Sequence, residues 1–137
     1  MRRPIIGHHR VRTSRGPRPL VPVLAAALVL SGCVGGPTHV EAVTVANPTA
    51  YRARVELRGE DSPGWFGLGA VEPASQRRVG QVLDVGERWT FRFTHPEHSE
   101  QLTLQRGELE SADWHVHVPE SFEQRLRELG VEEPTWP

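Results

Sequence analysis

The sequence contains a single cysteine, Cys33, and no lysine among its sixteen basic residues. A lone cysteine excludes a disulfide within the chain, so a folded domain must be stabilised by its packed core alone. The exclusive use of arginine fits a GC-rich coding bias better than a binding role.

Catalytic motifs are also missing from the sequence. It has no Gly-x-Ser-x-Gly elbow, no phosphate-binding loop, no His-Glu-x-x-His motif and no dinucleotide fingerprint. The serines stand in turn or capping contexts, without a histidine and an acid at a spacing typical of a nucleophilic site. We therefore expect no catalytic residues and no enzyme activity.

Long hydrophobic runs are a third absence. The apolar stretch from Leu20 to Leu30 is far shorter than the roughly 20 residues that span a membrane, and Pro22 interrupts it. Residues 1–19 before it carry six arginines and no acid. A basic segment followed by a short apolar one is typical of a cleaved export signal.

The motif Leu30-Ser31-Gly32-Cys33 follows this stretch. It closely resembles the lipobox of bacterial lipoproteins, with Leu30 as the apolar residue, two small residues and the thiol. The resemblance implies cleavage before Cys33, a covalent lipid with palmitate-type chains on its sulfur, and attachment to the extracytoplasmic face of the cell membrane. The alternative is a free cysteine in an ordinary secretory signal. Arg2-Arg3 leaves general secretion and twin-arginine export both open.

The remaining chain loosely resembles small, uncharacterised lipoproteins of high-GC Gram-positive bacteria, in which a short β-domain follows the lipobox. After Cys33 it holds ten arginines and seventeen acids, which gives a formal net charge of −7. Nucleic-acid-binding domains present basic surface, so we expect no nucleic-acid partner.

Four segments are expected: a signal peptide at 1–32, a lipidated linker at 33–39, a folded domain at 40–131 and a tail at 132–137. Seven linker residues, at no more than about 3.5 Å each, keep the domain within roughly 25 Å of the anchor.

Alternation of apolar and polar residues predicts six or seven short strands in the domain. The clearest runs from Tyr51 to Arg58. Another carries Trp89, Phe91 and Phe93 on one face and is expected to form the centre of the core. The remaining alternation predicts strands near residues 43–45, 65–71, 78–85, 99–106 and 114–118.

One helix is expected at about 121–129, with Ser121 as its N-cap, a buried stripe of Phe122, Leu126 and Leu129, and Gly130 at its end. The fold class that follows is a small, mainly β, antiparallel sandwich, immunoglobulin-like or transthyretin-like, with a short C-terminal helix.

Four histidines form a candidate metal site. His115 and His117 are two residues apart, which places both imidazoles on one face of a strand, and His95 and His98 are candidate further ligands of zinc or copper. The alternative is that they are the polar members of alternating strands, because no spacing fixes a third ligand.

Three arginines on one predicted strand, Arg52, Arg54 and Arg58, are a candidate contact for anionic headgroups or a cell-wall polymer. Pairing with glutamates across the sheet is the alternative. Trp65 and Phe66, in a loop bounded by glycines, are a candidate exposed binding tip, with core packing as the alternative.

The leading functional hypothesis is a non-enzymatic, membrane-tethered domain that binds or scaffolds an envelope protein or polymer. A metal-binding envelope lipoprotein and an accessory subunit of an envelope complex are the alternatives. Apart from the lipid on Cys33, no cofactor is expected.

Overall fold

The alternating segments form seven strands in the computed structural model, which describes residues 38–134. They are β1 (His39–Asn47), β2 (Ala53–Gly59), β3 (Phe66–Val71), β4 (Ser75–Leu83), β5 (Arg88–His95), β6 (His98–Gln105) and β7 (His115–His117). Two helices, α1 (Arg106–Ser111) and α2 (Glu120–Glu128), complete this part of the chain. The predicted export signal, Cys33 and the last three residues lie outside the described range.

The strands are arranged in two sheets, one in the order β4-β1-β7 and one in the order β3-β2-β5-β6. Within the described residues every pairing is antiparallel except that of β1 with β7, which is parallel. The expected mainly β sandwich with a short C-terminal helix is confirmed. The parallel pair adds a feature that alternation alone does not reveal.

The aromatic face of β5 lies in the core, as the sequence predicted. Trp89, Phe91 and Phe93 are fully buried, together with Val43 and Val45 from the other sheet. The residues between the three aromatics are partly exposed on the opposite face of the strand. Burial of three large rings in one row makes β5 the main apolar strand of the domain.

A buried polar corner joins the ends of three strands. The Nδ2 group of Asn47 donates to the carbonyl oxygens of Tyr51 at 2.7 Å and Val71 at 3.0 Å. Its Oδ1 accepts from the backbone N–H of Thr49 at 3.1 Å and from the Thr49 hydroxyl at 2.7 Å. The amide of Asn47 is thus fully used although the side chain is buried, which is the condition for placing a polar group in a core.

Helix α1, which the sequence did not predict, lies between β6 and β7 and buries Leu109. Arg106 at its start donates from Nη1 to both carboxylate oxygens of Asp84 at 2.7 Å. This hydrogen bond, and to a smaller extent the one from the backbone N–H of Gly86, lowers the pKa of Asp84 against the effect of partial burial. Asp84 therefore connects the turn before β5 to the first turn of α1.

Trp114 was predicted within the last strand, but it precedes β7 and has a φ of 57°. Its ring packs edge-on against Trp89, with 5.2 Å between ring centroids. The left-handed backbone at Trp114 ends the turn after α1, and only the next residue joins the sheet.

The predicted C-terminal helix is present, with two corrections. Pro119, and not Ser121, is the N-cap, and the Ser121 hydroxyl donates to Glu100. Phe122 and Leu126 are fully buried, whereas Leu129 is the C-cap and is 48% exposed. The buried stripe therefore has two members, because the helix ends one residue before Leu129.

Candidate functional site

The outer face of the four-stranded sheet carries a cluster of charged and hydroxyl side chains, which we call the arginine face. Its members alternate with the buried residues of β2 and β5, so the strand pattern itself turns them away from the core. On β2 they are Arg54, Glu56 and Arg58, and on β5 they are Arg88, Thr90, Arg92 and Thr94. The exposed alternate residues of β6 extend the face to the sheet edge: Ser99, Gln101, Thr103 and Gln105.

Strand register arranges these side chains in rows across the sheet. Arg54 is paired with Thr94, and Thr94 with Ser99. Four residues further along β2, Arg58 is paired with Thr90, and Thr90 with Thr103. Each row therefore consists of one guanidinium followed by two hydroxyls. The Thr90 and Thr103 hydroxyls are 3.0 Å apart, and those of Thr94 and Ser99 are 3.4 Å apart.

The row between these two is internally neutral. Arg92 donates from Nε to Oε2 of Glu56 at 2.8 Å, and its Nη2 lies 2.6 Å from the same oxygen. Both side chains are less than a third exposed. Both contacts end on the same carboxylate oxygen, and the charges of Glu56 and Arg92 compensate each other.

Trp65 packs onto the arginine face from the loop before β3. The guanidinium carbons of Arg58 and Arg92 lie 4.6 and 4.1 Å from the centroid of its ring. Cation–π contacts of this length restrict the guanidinium without neutralising it. Trp65 is half-buried by this packing, whereas Phe66 is 38% exposed, so of the pair considered above only Phe66 is an exposed aromatic side chain.

Two shallow depressions lie on the arginine face, one at each hydroxyl row. The first, of about 520 Å³, is lined by Arg52, Arg54, Gly69, Ala70, Thr94, His95 and Pro96. The second, of about 490 Å³, is lined by Arg58, Gly59, Glu60, Arg88, Thr90, Gln101, Thr103 and Gln105. Gly69 has a φ of 102°, and a Cβ there would come within 2.9 Å of the guanidinium carbon of Arg77. A side chain at position 69 would therefore displace the flexible end of Arg77 and would also be strained by the positive φ.

The charge of this face is opposite to that of the domain as a whole. Its strand positions hold four arginines and one glutamate, whereas residues after Cys33 carry a net charge of −7. Among the described residues, no ion pair involves Arg54 or Arg58. These two guanidiniums thus retain an uncompensated positive charge at the surface.

The three arginines that the sequence singled out have different surroundings. Arg52 precedes β2 and forms an ion pair with Glu72, with 2.8 Å between Nε and Oε1. Arg54 and Arg58 lie on the strand itself with exposed side chains. The alternative of pairing with glutamate thus describes Arg52 and not the other two.

The four histidines of the candidate metal site lie on both sheets. His115 and His117 are exposed on one face of β7, in the three-stranded sheet. His95 and His98 face each other where β5 turns into β6, in the four-stranded sheet. Within residues 38–134 no three histidine, cysteine, aspartate or glutamate side chains are grouped as metal ligands.

A cluster that the sequence did not reveal joins β6 to α2. The Ser121 hydroxyl donates to Oε1 of Glu100, and Oε2 of Glu100 lies 3.5 Å from Nε2 of His98. The His98 ring packs on Phe122 with 5.7 Å between centroids. The carboxylate stands between the hydroxyl and the imidazole, so His98 is not placed to take the serine proton as a general base does. This cluster positions the helix.

In the part of the chain that the structure describes, no helix is long and apolar enough to span a membrane. No protein-family model, curated protein or solved structure matches this chain.

Proposed function

We propose that this chain is a lipoprotein anchored through Cys33 at the extracytoplasmic face of the cell membrane, and that its sandwich binds an envelope component without catalysing a reaction. The observation that carries the binding role is the arginine face, where Arg54 and Arg58 are exposed and have no acidic partner among the described residues. The lipobox-like motif before the domain supports the location.

Charge segregation supports the choice of this face. Seventeen acids follow Cys33, yet the strand positions of the arginine face include only Glu56. Ion pairing on a protein surface contributes little stability, so the fold does not need these arginines to be gathered on one sheet. A cationic surface on an acidic domain attracts anionic partners and orients the domain as it approaches them.

The test uses a variant that lacks the anchor. Cys33→Ala protein is mixed with envelope fragments stripped of lipid, and the retained fraction is measured as salt is raised. We expect retention at low salt that falls steeply as salt increases. Adding the double substitution Arg54→Glu and Arg58→Glu should abolish retention.

The control reverses the same amount of charge elsewhere, with Arg78→Glu and Arg125→Glu, two exposed arginines outside this face. These changes should leave most of the retention in place. Equal loss in both double variants would show that net charge, and not the arginine face, governs binding.

A metal-binding lipoprotein is the second candidate, and one observation favours it. The Nδ1 atom of His115 is 2.8 Å from the carbonyl oxygen of Asp113, a contact that leaves Nε2 of a neutral imidazole free to bind a cation. A zinc titration of the full-length protein distinguishes the candidates. Binding weaker than micromolar, or binding unchanged by His115→Ala and His117→Ala, would exclude a metal role for this pair.

A further inference from the structure

The two hydroxyl rows of the arginine face repeat one arrangement. In the first row Arg54 is followed across the sheet by Thr94 and Ser99, and in the second Arg58 is followed by Thr90 and Thr103. The first depression is lined by Arg54 and Thr94 of the first row, and the second by all three members of the second row. Four residues along a strand separate the two guanidinium-bearing Cα atoms by about 13 Å.

We propose that the rows are two equivalent phosphate subsites, and that the arginine face binds a linear polymer of phosphate groups which occupies both at once. This inference rests on the proposed function, because it names the ligand of the face assigned there. It goes beyond that function by naming the chemical class of the ligand and the distance between the two phosphate groups that are bound.

The composition of each row favours phosphate. A guanidinium alone satisfies a carboxylate through two parallel hydrogen bonds. Phosphate presents more acceptor oxygens, so it gains from hydroxyl donors beside the guanidinium. Thr94 and Thr90 are the direct cross-strand neighbours of Arg54 and Arg58 and supply these donors.

The neutral middle row explains why two subsites form instead of a continuous cationic surface. Glu56 and Arg92 form a partly buried ion pair, so among the described residues no unpaired cation lies between Arg54 and Arg58. A ligand that gains from both rows must therefore extend over their separation. Covalent linkage of the bound groups then raises the affinity, since the second contact forms within the complex.

The surroundings of the face favour a flexible polymer over a flat membrane surface. Carboxylates lie at both ends of the arginine face. Glu60 pairs with Arg88 at one end, and Glu72 pairs with Arg52 at the other. Trp65 lies on top of the arginines from the β3 side. A plane of anionic headgroups would meet these groups, whereas a single chain has free access along β6, where Ser99, Gln101 and Thr103 are exposed.

The experiment measures binding of long-chain linear polyphosphate and of tripolyphosphate to the lipidated protein in neutral detergent, after the proposed cleavage before Cys33 has removed the six arginines of residues 1–19. Three linked phosphates are shorter than the distance between the rows and reach one subsite only. We expect the long chain to bind at least about 100-fold more tightly. Arg54→Gln or Arg58→Gln should each remove most of that advantage and lower the slope of log affinity against log salt by about one.

Two further variants separate the subsites from a diffuse charge effect. Arg78→Gln on β4 removes the same charge from the other sheet and should leave the affinity unchanged. The double variant Thr90→Val, Thr94→Val keeps every charge and the side-chain shape. It should weaken binding of the long chain at least about tenfold, because two hydrogen bonds to an ionised group are lost. An intact thermal transition in each variant shows that folding is preserved.

Three outcomes would overturn the inference. They are equal affinity for tripolyphosphate and the long chain, no effect of the threonine pair, and tighter binding to vesicles containing anionic phospholipid than to polyphosphate. If any of these occurs while retention on envelope fragments still depends on Arg54 and Arg58, the proposed function stands and only the ligand assignment fails. If that dependence is also absent, the binding face itself is wrong.

Discussion

Asn47 links the turn between β1 and β2 to the end of β3. Its side chain serves the carbonyl groups of Tyr51 and Val71 and the backbone N–H of Thr49. Replacement by alanine would remove the side-chain partner of the Val71 carbonyl and of the Thr49 backbone N–H, at about 1–3 kcal/mol for each one that water cannot reach. The Tyr51 carbonyl would keep the hydrogen bond from the Thr49 hydroxyl at 3.0 Å.

We therefore expect Asn47→Ala to lower the free energy of unfolding by at least about 2 kcal/mol. Urea unfolding followed by tryptophan fluorescence measures this. Gln76→Ala on exposed β4 is the matched control and should change stability by no more than about 0.5 kcal/mol. Equal stability of the two variants would show that water replaces the Asn47 amide.

Asp84 gives the domain a predictable response to acid. The hydrogen bond from Arg106 lowers the pKa of Asp84 in the folded state below its ordinary value of 3.8. Because the pKa of Asp84 is lower in the folded state, the unfolded chain takes up the proton first as pH falls. The stability that ionised Asp84 contributes is therefore complete above pH 3.8 and is lost as pH falls through the lowered pKa.

The substitution Asp84→Asn should remove that part of the pH dependence. The difference in unfolding free energy between the parent and the variant is expected to shrink as the pH of the urea titrations falls from about 6 to about 2. Asp61→Asn, an exposed aspartate in the loop after β2, is the control. A difference that is constant over the whole range would contradict the role of the Asp84 ionisation.

At the scale of elements, α2 is held to the sandwich by a small number of buried contacts. Phe122 and Leu126 are fully buried, and the Tyr51 hydroxyl donates to the carbonyl oxygen of Val131 at 2.8 Å just beyond the helix. A nine-residue helix is marginal in water by itself, so these contacts account for its order.

Removal of all residues after Pro119 should therefore expose apolar surface and lower the melting temperature by several degrees. A chain that ends at Val131 keeps Phe122, Leu126 and the Tyr51 contact and should melt close to the parent. Hydrogen exchange gives the same test without truncation. Unprotected amides between Phe122 and Leu126 would contradict a docked helix.

The strands were more predictable than the helices because period-two alternation in this chain is nearly perfect on β2 and β5. Both strands bury every second residue as the sequence indicated. Helix α1 escaped prediction because it is six residues long, includes Gly107 and buries only Leu109, which is too little for a periodic signal. Ser121 is not the N-cap because the helix begins one residue earlier, at Glu120, which makes Pro119 the N-cap. The Ser121 hydroxyl donates instead to Glu100, which is distant in sequence.

The arginine face was predictable only in part. Alternation alone placed Arg54 and Arg58 on one side of β2. Their alignment with Thr94 and Thr90 depends on the register between β2 and β5, which a single strand pattern does not contain. The packing of Trp65 onto the same face depends on the path of a loop, and the sequence held no signal for it.

At the scale of the whole molecule, the proposed anchor leads to a simple prediction. Wild-type protein expressed in a bacterium should incorporate a palmitate analogue and remain with the membrane fraction in high salt, since covalent lipid and not surface charge holds it there. The variants Cys33→Ala and Cys33→Ser should take up no label and leave that fraction in high salt. Unlabelled wild type in the soluble fraction would contradict the lipoprotein proposal.

The parallel pairing of β1 with β7 also determines when folding can be completed. Val45 of the first strand is aligned with Val116 of the last, so the three-stranded sheet lacks one edge until almost the entire domain is available. Contacts this distant in sequence form slowly. A chain that emerges with its N-terminus first cannot close this sheet early, and a polypeptide threaded through a narrow translocation channel benefits from that delay. The position of one three-residue strand thus delays completion of the three-stranded sheet until residues 115–117 are available.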